Sequence, residues 1–230
     1  MTNPRPDSAG RSDRGEQTRA AIAAAAQELF LERGYDKTTM RAVADRAGVS
    51  IGNAYYYFAS KESLVQAFYD QVQVAHAAAA DEALAASQKF AHRLREVLTS
   101  WVDVAEPFHG FAGKFFKIAA EPTSPLSPFS AESRGAREAS IDLFRQVVEG
   151  SDLTAPAPIR AELPELLWLL QMGVVLFWVH DSSPGQERTR ALVRHVVPLV
   201  DKLVRLSRLP GMKGVVADLV DLVRSVRPQG

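Results

Sequence analysis

The 230-residue chain contains no cysteine. It therefore forms no disulfide bond and offers no thiolate to a metal ion or to nucleophilic catalysis, and the absence fits a reducing compartment. The amino-terminal segment MTNPRPDSAGRSDRGEQ has no apolar run of the kind that a secretory signal carries. We expect a cytoplasmic protein.

Long hydrophobic runs are also missing. The most apolar stretch spans only residues 166–179 and includes Gln171. A helix needs about 20 apolar residues to cross a membrane. We interpret this stretch as a buried helix and expect no membrane partner.

The chain has no excess of positive charge, since 27 basic residues are matched by 27 acidic ones. Residues 1–70 are balanced as well, with nine of each. Net charge therefore supplies no argument for binding to a polyanion, and any such function must depend on where individual residues are placed.

Catalytic motifs are absent too. The sequence has no GxSxG, P-loop or GxGxxG pattern, and its five histidines are dispersed without an HExxH spacing. The histidines are His76, His92, His109, His180 and His195. We expect no enzymatic activity, no metal site and no cofactor; an all-helical hydrolase or metalloenzyme is the alternative that these absences argue against.

The apolar residues that are present repeat at helical spacing, as Ile22, Ala25 and Leu29 do. Loops rich in Pro and Ser separate the later periodic segments, and no strand pattern is visible. We expect an all-α fold. The predicted helices outside the central motif are 16–33, 61–86, 90–106, 110–120, 131–149, 159–180, 186–208 and 212–226.

The stretch from Thr38 to Lys61, TTMRAVADRAGVSIGNAYYYFASK, predicts two short helices joined by a tight turn. Thr38 and Thr39 stand where a hydroxyl can cap the first helix, and Ser50 can cap the second. Gly48 follows the last periodic residue, where a chain leaves a helix through a left-handed conformation. The second helix, 50–57, is shorter than the roughly 12 residues that an isolated helix needs, so its neighbours must hold it.

From residue 16 to residue 72 the chain resembles the DNA-binding domain of the TetR (tetracycline-repressor-like) transcriptional regulators. Two positions depart from the family pattern: Ala54 stands where a bulkier aliphatic residue is usual, and Tyr57 where histidine is frequent. The matching residues are Ala25, Phe30, Gly34, Tyr35, Thr38, Thr39, Val43, Ala44, Ala47, Gly48, Val49, Ser50, Gly52, Asn53, Tyr55, Tyr56, Phe58, Lys61, Glu62 and Leu64.

The resemblance implies an N-terminal three-helix helix-turn-helix DNA-binding domain followed by a C-terminal helical ligand-binding and dimerisation domain. We place the first in residues 15–75, with its motif at about 38–58, and the second in residues 76–230. Residues 1–14 have almost no apolar content and predict a disordered arm. Arginines of this arm are possible contacts to phosphate or to the minor groove.

The residues expected to bind DNA fall into two groups. Hydroxyl groups and an ammonium beside a helix terminus suit phosphates, and we assign this role to Thr39, Tyr56, Tyr57 and Lys61. Base edges would be read by Arg41, Ser50, Ile51, Gly52 and Asn53. Thr38 and Tyr55 complete the set. The alternatives are that Asn53 only caps its helix and that Tyr55 belongs to the core. A local basic face would come from Arg14, Arg19, Arg41, Arg46 and Lys61.

Two further sets follow from the C-terminal half. Similar proteins dimerise through two late helices, and the helices 159–180 and 186–208 have more apolar surface than one chain needs. The proposed dimer residues are Leu170, Val174, Phe177, Val193, Val197 and Val200. A cavity for an effector is implied by the resemblance, with ordinary core packing as the alternative. Its candidate residues are Trp101, Glu106, Phe108, His109, Phe111, Phe115, Trp168 and Met172.

The sequence thus predicts a homodimeric transcriptional regulator whose partners are a palindromic operator in double-stranded DNA and a small-molecule effector. Release of a repressor from its operator by the effector is the expected mode. A transcriptional activator is one alternative, and a helical protein-interaction module that retains the head only as a scaffold is the other.

Overall fold

The computed structural model describes residues 9–209 and, beyond them, residues 211, 214, 217, 218, 220, 221 and 225, with the side chains of residues 9–13, 111 and 114 excepted. In this part of the chain all regular structure is helical, which confirms the all-α fold. The α-helices are α1 (Ala9–Arg33), α2 (Met40–Ala47), α3 (Ile51–Tyr57), α4 (Lys61–Ala86), α5 (Phe90–Ala105), α6 (His109–Ala119), α7 (Arg134–Glu149), α8 (Ala157–Val179) and α9 (Glu187–Leu206).

Helix α1 begins earlier than expected. It includes residues 9–14, which the composition assigned to a disordered arm. No proline lies between Pro6 and Arg33, so once the apolar repeat has formed the helix, each further residue toward the amino terminus adds a hydrogen bond without a new nucleation step. The rest of the predicted arm, residues 1–8, and the predicted helix 212–226 lie outside the continuously described residues.

The chain divides into two compact units. The first unit combines the residues up to Gln71 with Gly110–Ser133, and the second combines Val72–His109 with the residues from Arg134 onward. This differs from the boundary expected at residue 75. The difference arises because α6 carries Phe115, which is buried in the first unit among aromatic rings of α1 and α4.

Aromatic packing forms part of the core of the first unit. The ring centroid of Phe115 lies 5.7 Å from that of Phe30, 5.6 Å from that of Tyr35 and 6.2 Å from that of Phe68. Edge-to-face and tilted arrangements at these distances add to the free energy that burial alone contributes. The aliphatic side chain of Leu64 is buried in the same unit.

Helices α4, α5, α7, α8 and α9 supply the core of the second unit. Its large buried side chains include Phe90, Leu98, Phe144 and Trp168. Helix α8 is long and apolar enough to span a membrane by length and composition alone. A position in the core accounts for this composition, because part of its apolar surface packs against α7 and α9.

Candidate nucleic-acid interface

Helices α2 and α3 form the predicted motif, with the caps that the sequence indicated. The Thr39 hydroxyl accepts a hydrogen bond from the Ala42 amide at 3.2 Å, and the Ser50 hydroxyl accepts one from the Asn53 amide at 3.1 Å. Gly48 ends α2 with φ of 68°, a left-handed conformation that glycine adopts at little cost. These contacts fix where each short helix begins and where the first one ends.

Helix α3 presents one face to solvent and one to the core. Ala54 is fully buried, whereas Tyr56 is 81% exposed, Tyr55 51% and Ile51 38%. This exposure excludes the alternative that Tyr55 belongs to the core. Gly52 and Asn53 are also exposed, and no protein atom lies within 4 Å of a Cβ added at Gly52. The short helix thus displays apolar, amide and phenolic groups beside a bare stretch of backbone.

Thr38 is not available for DNA. Its side chain is buried, and its hydroxyl donates to the carbonyl oxygens of Gly34, at 2.9 Å, and Leu29, at 3.2 Å. Leu29 lies in the last two turns of α1, and Gly34 directly follows the helix. The hydroxyl therefore ties the loop to the end of α1, and the prediction that Thr38 contacts DNA is wrong.

The predicted basic face is smaller than the arginine count suggests. Arg46 forms ion pairs with Glu28 at 2.8 Å and Glu32 at 2.8 Å, so its charge is matched by two carboxylates of α1. The hydrogen bond from Arg46 holds the pKa of Glu32 below its usual range. Arg41 is exposed and takes part in none of the described ion pairs. Of these two arginines, Arg41 is the one left for an external anion.

Lys61 starts α4 and is positioned by Tyr35. Its ammonium lies 3.9 Å from the centroid of the Tyr35 ring and donates to the Tyr35 carbonyl oxygen at 2.8 Å. The Tyr35 hydroxyl in turn donates to Glu62 at 2.8 Å. Burial, followed by this hydrogen bond, raises the pKa of Tyr35 well above its usual range, so the phenol stays protonated. An ammonium has three protons to donate, and the contact with one carbonyl leaves others for an anion.

Tyr35 is a residue whose positioning role the sequence did not reveal. The pattern marked it only as part of the exit from α1, next to Gly34. Its contact with Lys61 joins residues 26 positions apart, and such a pairing has no signal in helical periodicity. Its phenol also packs edge-to-face on Phe115 of α6.

The structure brings together part of the predicted effector set. Trp101 and His109 both pack edge-to-face on Trp178, with centroid distances of 5.2 Å and 4.8 Å. The imidazole Nε2 of His109 also bonds to the Trp178 carbonyl oxygen at 2.9 Å. Three aromatic residues from α5, α6 and α8 thus meet in the second unit.

Other members of that set lie elsewhere. Phe115 is a core residue of the first unit, and Glu106 is exposed, with its carboxylate paired to Arg190. Trp168 is buried in the core of the second unit, and Met172 packs against the same core. Phe108 is half-buried, and the side chain of Phe111 lies outside the described residues. The predicted effector residues are separated because packing between residues far apart in the chain decides where each side chain lies, and local sequence patterns do not show that packing.

Most of the predicted dimer residues are inside a single chain. Val174, Val193 and Val197 are buried in the core of the second unit, so they cannot form a surface for a partner. Leu170 and Val200 are partly buried against that core, and only Phe177 is exposed. The large apolar side chains that α8 and α9 do expose are Leu169, Leu176, Phe177, Leu199, Leu203 and Leu206. The sequence pattern correctly predicted that both helices are apolar. It placed Val174, Val193 and Val197 on the surface, although these side chains face the core.

Among the described residues no group of three or more His, Cys, Asp or Glu side chains could hold a metal ion.

Two family models match the sequence. The model described as "Bacterial regulatory proteins, tetR family" matches residues 22–68, which include α2 and α3. The model described as "Tetracyclin repressor-like, C-terminal domain" matches residues 93–225, more than half of the chain.

Known proteins with similar sequences are transcriptional regulators. The chain is 39% identical to the HTH-type transcriptional regulator TtgR of Pseudomonas putida over 64 residues, which are 28% of this chain and only 30% of TtgR. It is 28% identical to the HTH-type transcriptional activator FasR of Mycolicibacterium smegmatis over 172 residues, 74% of this chain and 75% of FasR.

A solved structure shows the same fold. FadR of Thermus thermophilus, a TetR-family transcriptional repressor crystallised with lauroyl-CoA, superposes with a TM-score of 0.59 at 20% identity, covering 84% of this chain and 98% of FadR. With an exposed, capped helix-turn-helix followed by a matching C-terminal domain, the chain belongs to the TetR family of transcriptional regulators.

Proposed function

We propose that the protein is a homodimeric repressor that two α2–α3 heads hold on a palindromic operator and that a small-molecule effector releases. The observation that carries the proposal is the exposed face of α3, where Ile51, Gly52, Asn53 and Tyr56 are presented on a helix too short to stand alone. Such a helix suits the major groove, which admits one helix and offers base edges to its side chains.

The proposed DNA contacts of each α2–α3 head fall into two groups, contacts to phosphates and contacts to base edges. Thr39, Tyr56, Tyr57 and Lys61 are assigned to phosphates, and Arg41, Ile51 and Asn53 to base edges. A carboxamide pairs with adenine, a guanidinium with guanine and an aliphatic group with the thymine methyl. One head buries little DNA surface, so two symmetric heads reading half-sites about one helical turn apart or more are required for tight binding.

Dimerisation is assigned to the exposed apolar stripe of α8 and α9. Leu199, Leu203 and Leu206 follow one another at spacings of four and three residues, so they lie on one side of α9. Phe177 and Leu176 expose apolar surface on α8. Contiguous exposed apolar surface of this kind marks an interaction site in a protein that remains in solution.

Release requires that the effector binds one state of the protein more tightly than the other. An effector in the second unit that favours a head spacing different from the operator spacing lowers operator affinity by the ratio of its own affinities for the two states. Helix α4, which starts at Lys61 and continues into the second unit, is the element through which we propose this coupling acts.

The test is the selection of DNA fragments from the source genome by the purified protein, followed by binding measurements on the selected fragment at several salt concentrations. We expect a symmetric sequence and a strong loss of affinity with rising salt. Binding that is absent or independent of salt on every fragment contradicts the proposal and favours the protein-interaction module.

Two variants distinguish a phosphate contact from a base contact. Lys61→Gln weakens binding to all sequences and reduces the slope of log affinity against log salt by about 0.9 for each head. Asn53→Ala weakens binding to the selected site by about 1–3 kcal/mol and leaves nonspecific binding unchanged. Lys89→Gln, which removes the same charge from an exposed position in the second unit, is the control and leaves both unchanged.

Transcriptional activation is the second candidate function. The observation in its favour is the match to FasR, a named activator, which covers 74% of this chain. A reporter gene behind the selected fragment distinguishes the two. Deletion of the protein raises transcription if it is a repressor and lowers it if it is an activator.

A further inference from the structure

Several side-chain polar atoms in the second unit are buried and have no hydrogen-bond partner. Three of them are His76 Nδ1, Gln73 Nε2 and Trp178 Nε1. The rings of His76 and Trp178 both contact α5, at the Val97 carbonyl oxygen and at the Trp101 ring. A buried polar group without a partner is costly, and native proteins contain few of them. An ordered water or a bound ligand can supply the missing partners.

His76 presents a hydrogen-bond acceptor. Its side chain is fully buried, and its Nε2 lies 2.8 Å from the carbonyl oxygen of Val97. A carbonyl only accepts, so Nε2 carries the proton and the unpaired Nδ1 is an acceptor. Burial lowers the pKa of His76, which keeps the imidazole neutral. Gln73 precedes His76 by three residues and so shares its face of α4, where its amide nitrogen is an unpaired donor.

Trp178 presents a second donor. It is 3% exposed, and its ring packs edge-to-face on Trp101 at 5.2 Å. Trp101 follows Val97 by one helical turn, so both residues lie on one side of α5. His76 and Trp178 therefore approach the same side of α5, one from α4 and one from α8. We name Gln73, His76, Trp101 and Trp178 the α5 cluster.

We propose that the α5 cluster binds the effector, and that this effector is a neutral, planar molecule that carries both a hydrogen-bond acceptor and a hydroxyl donor. Trp178 Nε1 and Gln73 Nε2 donate to its acceptor, and its hydroxyl donates to His76 Nδ1. The inference rests on the proposed function, since it names the chemistry of the ligand that the repressor would sense.

The surroundings disfavour a charged ligand. None of the three unpaired atoms bears a charge, and a carboxylate buried without a cation is strongly disfavoured. Arg190 of α9 is committed to Asp103 and Glu106 at 2.6 Å and 3.2 Å. Nε of Arg95 is also buried without a partner, but Arg95 precedes Val97 by two residues, which places it on the opposite side of α5 from Val97. The rings of Trp101 and Trp178 favour a flat apolar or aromatic surface.

The test uses the full chain without DNA and measures calorimetric binding of matched probes at neutral pH. 4-Hydroxyacetophenone carries donor and acceptor, acetophenone carries the acceptor only, and 4-hydroxybenzoate replaces the ketone by a carboxylate. We expect 4-hydroxyacetophenone to bind about 5- to 10-fold more tightly than acetophenone, the effect of one hydrogen bond. We expect 4-hydroxybenzoate and lauroyl-CoA to bind at least about 10-fold more weakly than 4-hydroxyacetophenone.

Two variants assign the hydrogen bonds. Trp178→Phe keeps an aromatic ring but removes the donor, so it weakens both ketones about equally. His76→Phe removes the acceptor and abolishes the preference for 4-hydroxyacetophenone over acetophenone. His92→Phe, at a partly exposed histidine that pairs with Glu96 outside the α5 cluster, changes neither affinity. Thermal unfolding shows that each variant folds, and Trp178→Phe suffices if His76→Phe does not.

The proposal is overturned if no neutral probe binds, if 4-hydroxybenzoate or lauroyl-CoA binds more tightly than 4-hydroxyacetophenone, or if Trp178→Phe binds both ketones as the unsubstituted protein does. Operator binding in the absence of any probe is measured separately. If it persists while the probes fail, only the ligand chemistry is wrong and the proposed repressor is unaffected.

Discussion

Gly52 is the residue at which stability and DNA binding are most easily separated. No protein atom lies within 4 Å of a Cβ added there, so Gly52→Ala meets no obstacle within the chain. Alanine in a helix is more favourable than glycine by about 0.5–1 kcal/mol. If the backbone at residue 52 approaches the DNA closely, the substitution raises the melting temperature slightly and weakens operator binding about 10-fold or more. Thermal unfolding and operator titration test this, and unchanged affinity would remove residue 52 from the interface.

Arg41 and Arg46 are a matched pair on one short helix. Arg46 is held by two carboxylates of α1, whereas Arg41 is exposed and outside the described ion pairs. Arg41→Gln is expected to weaken operator binding and reduce its salt dependence. Arg46→Gln is expected to leave the salt dependence unchanged and to change the melting temperature little, because surface ion pairs contribute little to stability. The reverse order of effects on DNA affinity would contradict the assignment.

At the scale of whole elements, Arg93 joins the ends of two helices. Its buried guanidinium donates to the carbonyl oxygens of Ser87 at 3.0 Å and Gln146 at 2.7 Å, and also to that of Leu84. A cation is favourable at the carboxyl end of a helix, and this one serves α4 and α7 together. No pattern in the sequence indicates this contact, because an arginine inside a predicted helix is ordinarily a surface residue.

Gly150, which follows α7, makes room for that arginine. A Cβ at position 150 would lie 2.5 Å from Nη2 of Arg93 and 3.2 Å from the Gln146 carbonyl oxygen. Gly150→Ala is therefore expected to lower the free energy of unfolding by about 1–3 kcal/mol, the usual effect of overpacking. Gly135→Ala is the control, since no protein atom lies within 4 Å of its added Cβ. Denaturant titration compares the two, and equal stabilities would contradict the packing at Gly150.

At the scale of the molecule, the proposed dimer depends on surface that one chain leaves exposed. Leu203 is 57% exposed on α9, and a charge there would have to be buried in the interface. Leu203→Glu is expected to convert the dimer to a monomer and to weaken operator binding, because the two heads no longer bind as a unit. Analytical ultracentrifugation measures the mass.

Val74→Glu is the matched control for that prediction. Val74 is 70% exposed on α4, in the same unit as Leu203, and its substitution introduces the same charge. It is expected to leave the dimer intact. A dimer that survives Leu203→Glu would place the interface away from α9, and a monomeric unsubstituted protein would contradict dimerisation itself.

The sequence alone determined the helical fold, the motif and most helix boundaries. Local chemistry explains this success: hydroxyl caps at Thr39 and Ser50, the left-handed glycine at position 48 and apolar residues at a period of 3.6 act over a few residues. The predicted helix at 90–106 is observed as Phe90–Ala105 for the same reason. The family also followed from residues at fixed spacing.

Only the tertiary structure decided which side chains face solvent and which charges are already paired. It buried Thr38, Val174, Val193 and Val197, and placed Phe115 in the first unit. It also paired the charge of Arg46 with two carboxylates and placed the Tyr35 ring 3.9 Å from the Lys61 ammonium. Each of these outcomes depends on contacts between residues far apart in the chain. A repeat of apolar residues shows that a helix has an apolar face, but when the helix is apolar on most sides, only its packed neighbours determine which side remains exposed.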